Sequence, residues 1–210
     1  MLPILYSFRR CPYAMRARLA IAISEQEVRL REIVLKHKPA ELLAISPNKT
    51  IPVLQINNQD VLDESLEIMV WALSKNDPQY WLNDSLPEML SLIDNNDYEF
   101  KSWLDKYKYA DRFPEYDQAY YRDQAEDFLM ILESRLQKQT YLFANHITLA
   151  DTAIFPFIRQ FASVDKKWFE QSPYLRVQEW LTELVNGDLF INCMKKYPTW
   201  LESGEDILFP

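Results

Sequence analysis

The sequence has 210 residues, of which 48% are hydrophobic, so it is long enough to bury a substantial core in one domain or two. Its formal net charge of −8 argues against nucleic-acid binding, which requires basic surfaces. Its only two glycines, Gly187 and Gly204, exclude a P-loop and a dinucleotide-binding fingerprint, because both need several glycines.

The first third of the sequence predicts a small mixed sheet with helices on both faces. Residues 3–8 are short, apolar and aromatic, as in a buried strand, and they precede a helix that Pro12 can open without a missing hydrogen bond. The following segments predict, in order, a strand at 28–34, a short helix at 40–45, strands at 51–56 and 59–62, and a helix capped by residues 63–65. The predicted order is therefore β-α-β-α-β-β-α.

The rest of the sequence predicts helices. A polar stretch at 77–84 interrupted by proline is typical of a linker, and apolar residues after it recur at helical spacing. Thr148 and Asp151 have the spacing of a capping box at the start of another helix. No segment after residue 85 predicts a strand. Cys193 lies in a short apolar stretch and is better explained as a core residue than as a reactive one.

Cys11 is the candidate nucleophile of the chain. It lies between the first predicted strand and the first predicted helix, where unpaired N–H groups and the helix dipole favour a thiolate. Four nearby arginines add positive charge: Arg9, Arg10, Arg16 and Arg18. The alternative is that Cys11 is a small buried apolar residue, but the surrounding pattern favours the reactive interpretation. Ala14 occupies the position where a dithiol motif has its second cysteine.

Other classes of site find no support in the sequence. Cys11 and Cys193 are far apart, so they form no disulfide framework, and a reducing cytoplasm is the simpler setting. The two histidines, His37 and His146, have no zinc-site spacing, and we expect no metal. A serine–histidine triad lacks an elbow motif. We expect no signal peptide and no membrane span, because the apolar runs are too short.

At this point the sequence resembles the cytosolic glutathione transferases, most closely their omega-like, cysteine-containing branch. The residues that carry the resemblance span the chain: 7–14, 35–39, 51–54, 63–65 and 148–151. The resemblance implies a thioredoxin-like, glutathione-binding domain at 1–76, a linker at 77–84 and an all-helical domain at 85–210. In fold-class terms, it implies an α/β domain followed by an all-α helical bundle.

The resemblance also implies a role for each residue of a glutathione site. Cys11 would form a mixed disulfide with glutathione, with Pro12 and Tyr13 beside it. Ile51, before a cis-Pro52, would offer backbone hydrogen bonds to the cysteinyl part. Glu64 and Ser65 would bind the γ-glutamyl end, since a carboxylate pairs with its ammonium and a helix N-terminus suits its carboxylate. Lys36 would approach the glycyl carboxylate. Glu64 and Ser65 as a plain helix cap, and Lys36 as a solvated charge, are the ordinary alternatives.

A second substrate would lie above Cys11. Tyr107 and Trp180 are the candidates for its site, with Tyr109, Phe113 and Tyr116 as further aromatic residues, although such residues more often belong to a core. The sequence departs from the family at Asn48-Lys49-Thr50, where relatives usually have a glycine. A non-glycine residue restricts positive φ at that loop.

Three functions are compatible with these residues. The favoured one is a glutathione-dependent thiol transferase or reductase, of the dehydroascorbate reductase type, in which Cys11 works as a monothiol. The second is conjugation of glutathione to electrophiles, for which Tyr6 or Ser7 would have to supply a hydroxyl near the glutathione sulfur. The third is a non-catalytic binding protein with the same fold. The resemblance further implies a cytoplasmic homodimer whose ligands are glutathione, as co-substrate, and a small molecule.

Overall fold

A computed structural model describes residues 2–210, which form two compact units. The first unit consists of the residues up to Gln79 together with Gly187–Pro210, and the second is Tyr80–Asn186. The expected helical domain, 85–210, thus extends further than the second unit, because its last 24 residues (187–210) belong to the first. The fold is a mixed sheet with helices, followed by a helical domain, which is the expected fold class.

The first unit is built on one five-stranded sheet. Its strands are β1 (Ile4–Ser7), β2 (Val28–Glu32), β3 (Val53–Gln55), β4 (Val61–Leu62) and β5 (Ile207–Phe209), in the order β4-β3-β1-β2-β5. The pair β1–β2 is parallel and the other pairs are antiparallel. The helices are α1 (Pro12–Ile23), α2 (Ala40–Ile45) and α3 (Ser65–Lys75). The predicted β-α-β-α-β-β-α order is confirmed.

Helix α1 is buried along most of its length. It packs against α3 and against a short helix of the returning chain, α10 (Asp188–Cys193). Alanines and β-branched or long apolar residues fill these contacts, but the helix also buries Arg16 and Arg18 completely. Buried guanidinium groups need hydrogen-bonding partners, so the partners of these two arginines constrain the whole unit.

The strand β5 was not expected from the sequence. The returning chain forms α10, then α11 (Trp200–Ser203), and then pairs with β2 at the edge of the sheet. Asp206 accepts hydrogen bonds from Arg29 at 3.2 Å and from Arg31 at 2.6 Å. The Arg31 guanidinium also lies 4.1 Å from the centroid of the Trp200 ring. The prediction of no strand after residue 85 was wrong, because a three-residue strand has too little pattern to be seen without its partner.

The second unit is helical. Its elements are α4 (Leu86–Asp94), a π-helical stretch (Asn95–Phe100), α5 (Lys101–Lys108), a 3₁₀ turn (Ala110–Arg112), α6 (Gln118–Leu136), α7 (Leu149–Ala162), α8 (Lys166–Gln171) and α9 (Leu175–Asn186). Aromatic rings fill part of its core. Phe100 stacks on Phe128 with centroids 4.9 Å apart, and Phe161 lies 5.2 Å from Tyr107.

A buried carboxylate organises the start of α7. The predicted capping box is confirmed: Asp151 Oδ2 accepts from the Thr148 N–H at 2.9 Å and from its hydroxyl at 2.6 Å. Asp151 Oδ1 accepts from the Leu142 N–H and from the Trp180 indole, both at 2.9 Å. Burial raises the pKa of Asp151, and these hydrogen bonds oppose that shift. One side chain thereby joins the preceding loop, α7 and α9.

Within residues 2–210, no helix combines the length and the apolar character needed to cross a membrane.

The docking of β5 predicts unequal effects of two neighbouring substitutions. Phe209 is buried and Leu208 is 58% exposed. We expect Phe209→Ala to reduce the free energy of unfolding by about 3 kcal/mol, because it removes a buried aromatic ring. Leu208→Ala should change it by less than about 0.5 kcal/mol. Urea unfolding of both variants measures the difference. Equally small effects would mean that β5 does not contribute to the stability of the sheet.

The Asp151 network predicts that Trp180→Phe destabilises the helical unit. The variant keeps a smaller aromatic ring but loses the donor to Asp151, and a hydrogen bond to a charged group contributes about 1.5–3 kcal/mol. Trp168→Phe, at a half-buried tryptophan of α8, is the matched control and should cost much less. Thermal and urea unfolding give both values. A Trp180→Phe variant as stable as the control would contradict a structural role for the indole N–H.

Candidate functional site

Cys11 lies at the N-terminus of α1. It is the N-cap residue, and Pro12 opens the helix, as the sequence predicted. The Cys11 N–H donates to the Phe8 carbonyl at 2.9 Å, which closes the turn between β1 and α1. The thiol is half-buried, and its Sγ lies 3.7 Å from the carbonyl oxygen of Ile51. The structure therefore brings together the cysteine and the backbone that the sequence analysis assigned to one site.

The segment before β3 forms the opposite side of this site. The peptide bond between Ile51 and Pro52 is cis, as the sequence predicted. In the preceding loop, Lys49 has a φ of 54°, a left-handed conformation that glycine adopts more easily. The departure from the family pattern at 48–50 thus has its effect at Lys49. The Asn48 amide donates to Asp63 at 3.2 Å, which connects the loop to the residues before α3.

The N-terminus of α3 carries the predicted γ-glutamyl residues. Glu64 is the exposed N-cap and Ser65 is the buried first residue of the helix. The Arg16 guanidinium donates to the Ser65 hydroxyl at 3.4 Å and lies 5.3 Å from the centroid of the Tyr13 ring. Arg16 therefore connects Tyr13, next to the cysteine, with Ser65, and the sequence analysis did not foresee this connection.

The structure corrects the picture of four arginines around Cys11. Arg18 is fully buried and forms an ion pair with Glu32, so its charge is compensated by a carboxylate. Burial lowers the pKa of Arg18, and the Glu32 carboxylate opposes that shift. Arg10 lies against the Phe8 ring, 5.4 Å from its centroid. The sequence analysis did not foresee the burial and pairing of Arg18, because a charged residue usually faces solvent.

Tyr6 and Ser7, the hydroxyl residues considered for conjugation, are both buried in β1. The Tyr6 hydroxyl accepts from Arg31 at 2.8 Å, and burial raises its pKa while Arg31 opposes the shift. The Ser7 hydroxyl accepts from Arg18 Nε at 2.8 Å. Both oxygens thus take part in the internal structure of the first unit.

The positions of Lys36, Tyr107 and Trp180 do not test the binding roles expected of them. Lys36 is exposed in the turn between Val34 and His37, so its role toward a carboxylate stays a prediction. Tyr107 and Trp180 are 1% and 3% exposed. Burial, and the bond from Trp180 to Asp151, favour structural roles for these two aromatic residues. Their assignment to a second-substrate site stays a prediction.

Glu32 is the residue near the cysteine that the sequence analysis passed over. It ends β2, and its carboxylate accepts the Arg9 N–H at 2.8 Å as well as the Arg18 guanidinium. The alternation Val28, Leu30, Glu32 was the available signal, because these three residues face the buried side of the strand. A glutamate in an apolar series indicates an internal partner.

The chemistry available at this site is that of a thiol at a helix N-terminus facing a backbone carbonyl. Helix N-termini bind anions, and α3 provides a second one at Ser65. Throughout residues 2–210, no group of three or more His, Cys, Asp or Glu side chains is arranged to hold a metal ion.

Two known proteins are similar in sequence to this chain over about three quarters of its length. The chain is 28% identical over 158 residues to the eukaryotic translation elongation factor 1 epsilon-1 of Mus musculus, covering 75% of this chain and 83% of that protein. It is 26% identical over 174 residues to the probable glutathione S-transferase parA of Nicotiana tabacum, covering 77% of this chain and 74% of that protein.

A solved structure and two family models add to these relatives. A glutathione transferase family member from Pseudomonas fluorescens with two glutathione bound has a TM-score of 0.78 at 17% identity, covering 92% of each chain. At that identity the likeness concerns the fold. The model of the glutathione S-transferase N-terminal domain matches residues 5–79, and that of the C-terminal domain matches residues 79–183. Because the two domain models follow one another along most of the sequence, this chain belongs to the glutathione S-transferase family.

Proposed function

We propose that this protein is a glutathione-dependent thiol transferase of the omega-like type, acting through Cys11 as a monothiol. The observation that carries the proposal is the placement of the Cys11 thiol at the N-terminus of α1, 3.7 Å from the Ile51 carbonyl. Ile51 would then hold the cysteinyl part of glutathione, Glu64 and Ser65 its γ-glutamyl end, and Lys36 its glycyl carboxylate.

The proposed cycle has two exchanges. The Cys11 thiolate attacks the glutathione sulfur of a glutathionylated substrate, which forms a Cys11–glutathione disulfide and releases the substrate as a thiol. A second glutathione, as thiolate, attacks the glutathione sulfur of that disulfide, which forms oxidised glutathione and returns the Cys11 thiolate. One free glutathione thiol is oxidised for each mixed disulfide reduced, because the other half of the oxidised glutathione comes from the substrate.

Conjugation to electrophiles is a less well supported function. It requires a hydroxyl beside the glutathione sulfur, and the two candidates are buried, with Arg18 and Arg31 as partners. An alternative of a different class is a binding protein without catalysis. It is favoured by the relative from Mus musculus, whose name is that of a translation elongation factor. Measurable affinity for glutathione, and turnover of a glutathionylated peptide, separate the proposed enzyme from that alternative.

A homodimer is part of the same proposal, by analogy with the family. Light scattering coupled to gel filtration tests it, and a monomeric mass would remove it without affecting the proposed chemistry.

Ala14 generates a prediction on monothiol chemistry. It is fully buried, three residues after Cys11 in the first turn of α1. Treated with oxidised glutathione, the wild type should accumulate one stable glutathionyl adduct on Cys11. Ala14→Cys should lose the adduct and form an internal disulfide, because the effective concentration of a tethered thiol, in the millimolar range, favours intramolecular resolution. Intact mass and peptide mapping distinguish the two products.

Ala14→Ser is the matched control for that experiment. It adds a similar side chain to the same packed position without a thiol, and it should keep the adduct. Cys11→Ser should take up no glutathione at all. A wild type that carries the adduct on Cys193 and none on Cys11 would place the reactive centre elsewhere in the molecule.

Cys193 generates a prediction on pH dependence. Burial raises the pKa of its thiol to about 12, and Arg18 opposes that shift. The folded-state pKa is thus above the unfolded value of about 8.5. The stabilisation from the protonated thiol is complete below about pH 8.5 and is lost between there and about pH 12, at up to about 1.4 kcal/mol per pH unit.

The measurement is the difference in unfolding free energy between the wild type and Cys193→Ala. This difference cancels the titration of the groups that the two proteins share. It should be constant near neutral pH and should shrink as the pH rises above about 9. A difference that stays constant up to about pH 11 would contradict the raised pKa.

A further inference from the structure

Glu32 has two partners on opposite oxygens of its carboxylate. Oε1 accepts the backbone N–H of Arg9 at 2.8 Å, and Oε2 accepts the Arg18 guanidinium. Arg9 belongs to the turn that ends at Cys11, where the Cys11 N–H donates to the Phe8 carbonyl. The carboxylate at the end of β2 therefore holds the backbone of the loop that carries the reactive thiol.

Arg18 fixes Glu32 in turn. Its three guanidinium nitrogens donate to three separate segments: Nε to the Ser7 hydroxyl at 2.8 Å, Nη1 to the Cys193 carbonyl at 3.2 Å, and Nη2 to Glu32. Arg18 is fully buried and Glu32 is 8% exposed, so neither side chain has much room to move. A planar guanidinium with several bonds holds its partners in one arrangement.

The returning chain completes the arrangement. The Cys193 carbonyl accepts from Arg18, and its thiol donates to the Arg18 carbonyl at 3.6 Å. The Met194 carbonyl accepts from the Arg9 guanidinium at 3.4 Å. The loop before Cys11 thus has its backbone bonded to Glu32 and a side chain bonded to the residue after α10.

We propose that Glu32 is a positioning residue for Cys11, acting through the Arg9 N–H, and that Arg18 and the end of α10 hold Glu32 in place for that purpose. The inference deepens the proposed function, because it concerns the group that sets the orientation of the same thiol. The carboxylate acceptor keeps the turn closed over the start of α1, and the closed turn keeps the thiol at the helix N-terminus. In a loosened turn the Cys11 thiol would sample a wider range of positions. A smaller fraction of the molecules would then have the thiol at the helix N-terminus, where the dipole favours a thiolate.

Two double variants separate the acceptor from the ion pair. Arg18→Met/Glu32→Gln removes both charges and keeps an amide oxygen for the Arg9 N–H. Arg18→Met/Glu32→Met removes both charges and also removes the acceptor. The two proteins differ only at residue 32, where one has the carboxamide of glutamine and the other has the thioether of methionine. The two side chains are of similar size, so their packing is matched. Replacing a buried ion pair by uncharged residues of similar volume is often tolerated by the fold.

The readout is the rate of iodoacetamide alkylation at Cys11, followed by peptide mapping near neutral pH, with the urea unfolding curve of each variant as a measure of folding. We expect the Gln variant to retain nearly the wild-type rate and the Met/Met variant to be about tenfold slower, as for a misplaced reactive group. Equal rates for the two variants, whether both high or both low, would overturn the positioning role. So would rates that follow the unfolding free energies instead of the presence of the acceptor.

A measurement on the wild type covers the case in which a variant does not fold. Hydrogen exchange of the Arg9 amide should be as slow as that of the Met15 amide, which donates within α1 to the Cys11 carbonyl. Exchange at the rate of an exposed loop amide would overturn the proposal. Neither readout uses glutathione, so a wild-type Cys11 that takes up no glutathione refutes the proposed function and leaves this test intact.

Discussion

The first unit depends on the burial of charge inside α1. A helix surrounded by the sheet, α3 and α10 would ordinarily be apolar on every side, yet Arg16 and Arg18 are fully buried in it. A buried guanidinium is stable only with partners, because desolvation without them costs several kcal/mol. Arg18 obtains its partners from β1, β2 and the returning chain. One side chain therefore requires three distant segments to assemble together.

That requirement explains why the returning chain belongs to the first unit. Residues after 187 supply the carbonyl groups that Arg18 and Arg9 need, and they then add β5 to the edge of the sheet. Asp206 pairs with Arg29 and Arg31, whose side chains would otherwise lie beside an open strand edge. An open edge is a site of unwanted pairing with other chains, and β5 moves that edge to a strand of three residues.

The sequence was sufficient to predict the elements that local patterns determine. The order of strands and helices up to residue 75 and the capping box at Thr148 and Asp151 agree with the structure. The cis bond at Pro52, which the family resemblance implied, agrees as well. What could not be predicted depends on contacts between distant residues. β5 exists through pairing with β2, and the internal position of Arg18 reverses the usual preference of charged residues for solvent. The left-handed φ of Lys49 could not be assigned to that residue beforehand, because a sequence pattern locates a loop without giving its dihedral angles.

The candidate site follows the same division. Cys11 was identified from its local context and Ile51 from the family resemblance, and the Cys11 Sγ lies 3.7 Å from the Ile51 carbonyl oxygen. Glu32 was missed as part of the site, and Arg16 was noted only for its charge. Their bonds to the Arg9 backbone and to Ser65 join segments that no local pattern relates. Trp180 is buried, which favours a structural role, and its assignment to a second-substrate site stays a prediction. Its helical spacing with Val177, Leu181 and Leu184 indicated a core position, and its indole N–H is bonded to a buried carboxylate.

The distribution of hydroxyl and thiol groups gives a physical reason to favour sulfur chemistry. The two hydroxyls of β1, on Tyr6 and Ser7, accept hydrogen bonds from guanidinium groups, and both residues are buried. Stabilising an external thiolate would require either hydroxyl to be accessible to it, and both residues are at most 1% exposed. Cys11 lies at the N-terminus of α1, where the helix dipole favours an anion. Both hydroxyls of β1 are therefore part of the internal hydrogen bonding of the first unit, whereas the Cys11 thiol lies at a helix N-terminus.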